Sequence, residues 1–409
     1  MTLLCSFCGK TQKEVAKLIS GNDGVHICDR CVTLSSDLLG KELKQTSDDT
    51  KKKRIKDMFS TITPRSVMNI LNDHVIGQEH AKKSVSVAVY NHCKRILNSS
   101  TVKIQKSNLL MIGPTGTGKT LIAQVLSEIL DVPFVITDAT TLTESGYAGD
   151  DAEILIEKLL ISSEYDITRA EVGIVYVDEI DKKAKRNDYV NLSRDVSGEG
   201  VQQSLLKLME GTKVSVPDRK SNSKFPEFYE VDTSNILFIV SGAFIGLDDV
   251  VKERLGKSKI GFNGNNKTPY NDNEWQRNLV TKDLIKYGLI PEFVGRLPSV
   301  SVLDELSKTQ LKQVLLEPKN SVVKQFKELF GVEGVELEFD EKSLNTIIDI
   351  AIEQQIGARG LRKIVEESLL NTQFELPELA EKGVKKIIVT TDTHKKIIPW
   401  YVTGGESIH

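Results

Sequence analysis

The chain has 409 residues, of which 39% are hydrophobic and 27% are charged, which is typical of a soluble globular protein and excludes wholesale disorder. With 54 basic and 57 acidic residues the formal net charge is −3, so the chain is not a polycation for which nucleic acid is the default partner. No apolar run is long enough to cross a bilayer and no apolar leader opens the chain, so we expect a cytoplasmic protein without a membrane partner.

Four of the five cysteines form two close pairs near the N-terminus, in the spacing C-x2-C, 19 residues, C-x2-C. This spacing predicts a zinc site. Four thiolates complete a tetrahedral shell and leave no open position, so we expect a structural rather than a catalytic metal. Disulfides or free thiols are the alternative, disfavoured by the odd cysteine count of a chain that is not exported. The predicted ligands are Cys5, Cys8, Cys28 and Cys31.

The hydrophobic pattern divides the chain into five segments. We assign residues 1–45 to the zinc-binding module, 46–62 to a flexible polar linker, 63–307 to a large α/β domain, 308–395 to a small, mostly helical domain, and 396–409 to a tail. In the large domain short apolar runs alternate with helical stretches, which indicates a parallel, doubly wound sheet. The predicted strands are Asn108–Ile112, Pro133–Thr137, Gly173–Val177, Ile236–Val240 and Ser299–Val302, and the small domain has one predicted strand pair, Val335–Phe339 with Lys386–Thr390.

A glycine-rich stretch follows the first predicted strand and matches the pattern G-x-x-x-x-G-K-[ST] in full. Backbone N–H groups of such a loop close around phosphates, and the helix that follows favours the anion. Lys119 would reach the β- and γ-phosphates, and the Thr120 hydroxyl would ligate Mg²⁺. A chance glycine-rich turn is the alternative. The predicted phosphate loop is Gly113, Pro114, Thr115, Gly116, Thr117, Gly118, Lys119 and Thr120.

Two carboxylates end the third predicted strand. Asp178 can hold Mg²⁺, and Glu179 can polarise the attacking water. Alone the pair would be read as solvated acids, but next to a phosphate loop it predicts nucleotide triphosphate hydrolysis.

Five segments together closely resemble the ClpX family of AAA+ ATPases: Gly113–Thr120, Val177–Asp181, Arg194–Gly200, Gly288–Pro298 and Gly357–Arg362. The resemblance covers residues from about 3 to 390. It implies a homohexamer that binds ATP and Mg²⁺, unfolds tagged proteins through a central pore and delivers them to the ClpP peptidase. It also implies Zn²⁺ in the N-terminal module, adaptor proteins as further partners, and no peptidase activity of the chain itself.

The resemblance assigns further residues around the nucleotide. Arg296 is similar to the arginine finger that reaches the nucleotide of a neighbouring subunit, and Arg359 to the sensor 2 arginine of the small domain. Val75 and Ile76 resemble the segment that packs against adenine. Ser241 stands at the sensor 1 position, where the family usually has glycine.

Three more segments resemble parts of the family that handle protein partners. Gly146–Gly149 is similar to the pore loop Gly-Tyr-Val-Gly, with alanine in place of valine, and residues 219–221 to the Arg-Lys-His of the pore entrance, with serine in place of histidine. The tripeptide at 260–262 matches the loop that docks into ClpP. The implied pore residues are Tyr147, Ala148, Arg194, Arg219 and Lys220, and the implied docking residues are Ile260, Gly261 and Phe262.

Two other functions stay open at this point. A zinc-bearing DNA-binding or clamp-loading AAA+ ATPase would need a basic groove and would leave the 260–262 tripeptide unexplained. A non-catalytic adaptor that only binds ATP would have no use for Glu179 and Arg296.

Overall fold

The computed structural model describes residues 3–36, 53–98, 100–143, 150–185, 198–218, 228–257, 272–354, 356–392, 396–403 and 406–408. The chain separates into two compact units, Met1–Thr61 and Ile62–His409. Among the helices of the described part, none has the length and apolar character needed to cross a membrane.

The first unit is built around a short antiparallel pair, β1 (Leu18–Ser20) and β2 (His26–Cys28), joined by the 3-10 turn Asn22–Gly24. Residues 29–36 and 53–59 are helical. The second of these helical stretches lies inside the predicted linker, whose bounds stay a prediction.

The second unit contains the remaining strands and helices. Its strands are β3 (Leu109–Ile112), β4 (Phe134–Asp138), β5 (Leu142–Thr143), β6 (Asp150–Asp151), β7 (Ile174–Asp178), β8 (Lys213–Pro217), β9 (Phe228–Asp232), β10 (Leu237–Gly242), β11 (Ser299–Val302), β12 (Glu336–Phe339), β13 (Val384–Thr391), β14 (Ile397–Thr403) and β15 (Glu406–Ile408). Its helices are α1 (Pro64–His74), α2 (Glu79–Leu97), α3 (Lys119–Leu130), α4 (Ile154–Ser162), α5 (Ile167–Ala170), α6 (Glu199–Glu210), α7 (Leu247–Lys257), α8 (Thr281–Tyr287), α9 (Pro291–Gly295), α10 (Lys308–Leu316), α11 (Val322–Val332), α12 (Glu341–Glu353), α13 (Gly357–Phe374) and α14 (Leu376–Glu381).

A five-stranded parallel sheet forms the centre of what we call the α/β lobe, residues 62–305. The strand order is β11-β3-β10-β7-β4, and each predicted strand is confirmed to within two residues. β3 and β10 are buried along their whole length, as expected for parallel strands covered on both faces. Because the strands are parallel, the residues that follow β3, β7 and β10 lie at one edge of the sheet, where ligands of such folds bind.

The helical lobe, residues 306–403, has a separate hydrophobic core centred on Phe326, Phe330 and Ile347. Its first helix is α10, where Ser307 is the N-cap and Gln310 Oε1 accepts a hydrogen bond from the Ser307 N–H at 2.9 Å. The predicted strand pair is confirmed as β12 and β13, which are parallel. β13 also pairs antiparallel with β14, so residues of the predicted tail contribute a strand.

Candidate nucleotide site and zinc site

The phosphate loop joins the buried strand β3 to helix α3. Gly116 and Gly118 have φ angles of 83° and 102°, which glycine adopts without steric cost. The Lys119 ammonium donates hydrogen bonds to the carbonyl oxygens of Gly113 at 2.6 Å and Pro114 at 2.9 Å. Burial lowers the pKa of Lys119. The lysine is thus held inside the loop that it would help to close around phosphates.

The carboxylate of Asp178, at the end of β7, lies beside the phosphate loop. Its Oδ1 accepts hydrogen bonds from the Ser241 hydroxyl at 2.5 Å and the Glu179 N–H at 2.9 Å. Its Oδ2 is 3.5 Å from Thr120 Oγ1. Hydroxyl and carboxylate oxygens are ligands that Mg²⁺ prefers, so the two residues predicted to hold this ion fit it in chemistry and in place.

Glu179 follows at a sharp change of chain direction. Its φ of 59° is unusual for a residue with a side chain and directs the backbone into the 3-10 turn Ile180–Lys183. The Glu179 carboxylate forms an ion pair with Lys182. A polarising role in hydrolysis would require Glu179 to leave this lysine and face the phosphate.

The helical lobe closes the other side of the phosphate loop. A Cβ on Gly116 would come within 3.1 Å of the Ala358 nitrogen and 3.3 Å of the Arg359 nitrogen. Arg359, Lys119 and Asp178 line one cavity of about 570 Å³. The N-terminus of α13, an 18-residue helix, therefore lies beside the phosphate loop, and a helix N-terminus favours anions.

The predicted adenine segment lies at the C-terminal end of α1. Val75 caps this helix, is buried, and has its Cγ1 3.7 Å from the position that a Cβ on Gly118 would take. Ile76 is half-buried. The segment is thus next to the phosphate loop, and its contact with adenine stays a prediction.

Arg296 lies apart from this cavity, at the surface after α9. About half of its side chain is exposed, and its guanidinium is paired with Glu210 at 2.7 Å. Among the predicted nucleotide-site residues that the structure describes, Arg296 is the one that lies away from the rest.

The predicted pore and docking residues lie outside the described residues. They are Tyr147, Ala148, Arg194, Arg219, Lys220, Ile260, Gly261 and Phe262.

Sequence reasoning missed Tyr176 as a neighbour of the nucleotide residues. Its hydroxyl is 3.2 Å from Thr120 Oγ1 and 2.7 Å from Ser241 Oγ, and the residue is fully buried. A signal was present, because one hydroxylated aromatic residue interrupts the aliphatic strand before Asp178.

The four cysteines of the two C-x2-C motifs in the first unit form one cluster. All four sulfurs lie within 4.8 Å of one another. Cys5 Sγ is 3.9 Å from Cys31 Sγ, and Cys8 Sγ is 3.7 Å from Cys28 Sγ. Disulfides require a separation near 2 Å, whereas Zn–S bonds of about 2.3 Å in a tetrahedron place sulfurs about 3.8 Å apart. The Cys28 N–H also donates to Cys5 Sγ at 3.3 Å, as is common around thiolate ligands. The cluster therefore fits a structural zinc ion.

Comparisons with known proteins agree with both sites. The ClpX C4-type zinc finger matches residues 3–41, the AAA domain (Cdc48 subfamily) residues 104–300, and the C-terminal, D2-small domain of ClpB protein residues 306–388. The chain is 45% identical over 404 residues to the ATP-dependent Clp protease ATP-binding subunit ClpX of Treponema denticola, with 97% of this chain and 94% of the relative covered. These matches do not favour a DNA-binding or clamp-loading ATPase, and they agree with zinc, ATP and Mg²⁺ as ligands. The chain therefore belongs to the ClpX family of AAA+ ATPases, the ATP-dependent unfoldase subunits of Clp protease.

Proposed function

We propose that the chain works as a cytoplasmic homohexamer that unfolds tagged proteins with the energy of ATP and passes them to a ClpP peptidase. The observation that carries this proposal is the contact of both lobes with one phosphate loop. Gly116 is packed against the first residues of α13, so a nucleotide in the cavity would touch the α/β lobe and the helical lobe together. Hydrolysis would then change the angle between the lobes.

The residues of the cavity divide the chemical work. Lys119 would leave the carbonyl oxygens of its own loop to bind the β- and γ-phosphates. Thr120 and Asp178 would hold Mg²⁺, which neutralises phosphate charge when bound. Glu179 would leave its ion pair with Lys182, bind the attacking water and polarise it. Arg359 would contact the nucleotide from the helical lobe, so that the position of this lobe depends on the nucleotide state.

Arg296 would act on the nucleotide of a neighbouring subunit. It is half-exposed and does not line the cavity of its own chain, as expected for a group supplied in trans. Its release from Glu210 would accompany assembly. An arginine supplied in trans makes hydrolysis depend on the hexamer.

The protein partners are assigned from the family. Tyr147 and Ala148 would grip the substrate in the pore, with Arg194 on a second loop, and Arg219 and Lys220 at the entrance would attract a C-terminal carboxylate. Ile260, Gly261 and Phe262 would enter an apolar pocket on ClpP. The zinc module would receive adaptors and some substrates.

Degradation of a folded, tagged reporter tests the proposal. The chain is mixed with ClpP from the same organism, and we expect loss of the reporter only with both proteins and ATP. Phe262→Ala is expected to keep ATP hydrolysis and unfolding but to abolish degradation. Equal degradation by the variant and the parent would remove the docking assignment, and degradation without ATP would contradict the motor.

A further inference from the structure

Two buried hydroxyl groups connect the phosphate loop with the acidic end of β7. Tyr176 lies on β7 and Ser241 on the adjacent strand β10, and neither side chain is exposed to solvent. The strands are parallel, with Val240 opposite Val177, so Ser241 reaches the level of Asp178. The register of two neighbouring strands thus places a serine hydroxyl between a tyrosine and a carboxylate.

The two hydrogen bonds made by Ser241 have one possible direction when Asp178 is ionised. A carboxylate only accepts, so the Ser241 hydroxyl donates its proton to Asp178 Oδ1, at 2.5 Å. Ser241 Oγ then accepts from the Tyr176 hydroxyl, at 2.7 Å. The Tyr176 oxygen in turn is free to accept from Thr120, whose Oγ1 is 3.2 Å away. When Thr120 donates over this contact, the shorter of its two, the protons run in series from Thr120 to Asp178.

This direction fixes both predicted Mg²⁺ ligands. Asp178 Oδ1 is occupied by the Ser241 hydroxyl and the Glu179 N–H, so the carboxylate cannot rotate freely and its Oδ2 faces Thr120. The Thr120 hydroxyl has two acceptors, the Tyr176 oxygen at 3.2 Å and Asp178 Oδ2 at 3.5 Å. Donation over the shorter contact, to Tyr176, leaves Asp178 Oδ2 and the lone pairs of the threonine oxygen for a cation.

We propose that Tyr176 and Ser241 form a hydroxyl bridge that positions Thr120 and Asp178 for Mg²⁺. They are positioning residues, since each acts through a neighbour rather than on the nucleotide. The inference rests on the proposed ATP site, and it goes beyond it by assigning a metal-orienting role to two residues of the sheet interior.

The test measures metal-dependent nucleotide binding rather than turnover. The parent is the Glu179→Gln protein, which removes hydrolysis and keeps the backbone N–H at Asp178. Tyr176→Phe and Ser241→Ala each delete one hydroxyl, and Ser241→Thr restores it. Ser301→Ala is the matched control, because Ser301 is a buried serine of the same sheet on β11, whose hydroxyl donates to the Ala81 carbonyl oxygen instead. A fluorescent ATP analogue is titrated with Mg²⁺ and, separately, in EDTA.

We expect the Mg²⁺ concentration for half-maximal binding to rise about tenfold in Tyr176→Phe and in Ser241→Ala, the usual effect of losing a group that orients a metal ligand. Affinity in EDTA should stay at the parental value, and Ser241→Thr and Ser301→Ala should behave as the parent. The double variant should lose little more than either single variant, since one break interrupts the series.

Two outcomes would overturn the proposed hydroxyl bridge and leave the proposed ATP site standing. One is an unchanged Mg²⁺ midpoint in both hydroxyl deletions, with the parent binding normally. The other is an equal loss of affinity with Mg²⁺ and in EDTA, accompanied by a lower thermal midpoint of the nucleotide-free protein, which would make the two hydroxyls ordinary core groups. A parent without Mg²⁺-dependent nucleotide binding would overturn the proposed ATP site together with the bridge.

Discussion

Gly357, the first residue of α13, lies against Thr115 of the phosphate loop: a Cβ on Gly357 would be 3.2 Å from the Thr115 carbonyl oxygen. The glycine also has a φ of 55°, which side chains disfavour. The two lobes are therefore in close contact at the place where the nucleotide phosphates would bind.

Gly357→Ala should weaken ATP binding about tenfold, because the added methyl group would push α13 away from the loop. Gly334→Ala is the matched control, since Gly334 also has a positive φ, 74°, but no atom within 4 Å of the added Cβ. Both changes should cost roughly 1 kcal/mol of stability through the backbone. Equilibrium titration with ATP distinguishes the two variants by their ATP affinity. An equal affinity would contradict a role of the contact between the lobes in ATP binding.

Glu179→Gln should bind ATP like the parent and hydrolyse it at least a hundredfold more slowly, since a carboxylate that polarises water typically contributes about 10²–10⁴ in rate. Phosphate release and ATP binding are measured on the same preparation. Glu230→Gln, at an exposed glutamate of β9, is the control. Turnover near the parental rate would show that another group polarises the water.

Arg296→Ala should also bind ATP, and its rate of ATP hydrolysis should fall on the order of a thousandfold. Mixing it with Glu179→Gln tests whether the arginine acts between subunits. In mixed rings some sites combine an intact Glu179 with an intact Arg296 of the neighbour, so activity should return. If Arg296 served its own subunit, no chain in the mixture would hold both groups, and the mixture would stay as inactive as its parts.

Removal of one zinc ligand should affect the first unit alone. Cys28→Ser should purify without zinc, because three thiolates and a hydroxyl do not form a stable site. Cys93→Ala, a buried cysteine outside the cluster, should keep the metal. Zinc content is measured by atomic absorption and ATP binding by titration. Parental zinc content in Cys28→Ser would contradict the assigned ligands.

His92 predicts a pH dependence of folding. Its complete burial, with Arg95 and Lys106 nearby, lowers its pKa from 6.5 to about 3. Between these values the unfolded chain binds the extra proton, so stability falls as the pH drops below 6.5, by about 1.4 kcal/mol per pH unit. This contribution is fully present above pH 6.5.

His92→Gln should therefore lose part of the acid sensitivity. From pH 7 to pH 5 the free energy of unfolding, measured in urea, should fall about 2 kcal/mol less in the variant than in the parent. His80→Gln, at an exposed position of the same helix, is the control. Parallel pH profiles for His92→Gln and the parent would show that His92 does not titrate in this way.

The sequence predicts what depends on local pattern, and it misses what depends on neighbours in space. The five sheet strands are recognisable because continuous apolar runs such as Ile174–Val177 are typical of a covered parallel sheet. The cysteine cluster and the phosphate loop are recognisable because their chemistry fixes the spacing.

Other relationships need the folded chain. The link from Tyr176 through Ser241 to Asp178 exists because β7 and β10 are adjacent in one register, which no local pattern encodes. The pair of Arg296 and Glu210 joins positions 86 residues apart. The sequence does not predict β14, because Pro399 interrupts its apolar run and its strand character follows from its pairing with β13 and β15.

The most direct measurement of the central claim is the ATP-dependent loss of native fluorescence from a stably folded reporter with an unstructured C-terminal tag. ClpP is present, so that refolding cannot hide unfolding. We expect rapid loss with the parent and ATP, and none with Glu179→Gln or with Tyr147→Ala, although the latter should still hydrolyse ATP. Fluorescence that persists while ATP is hydrolysed by the parent, across several tags, would contradict a motor that unfolds proteins.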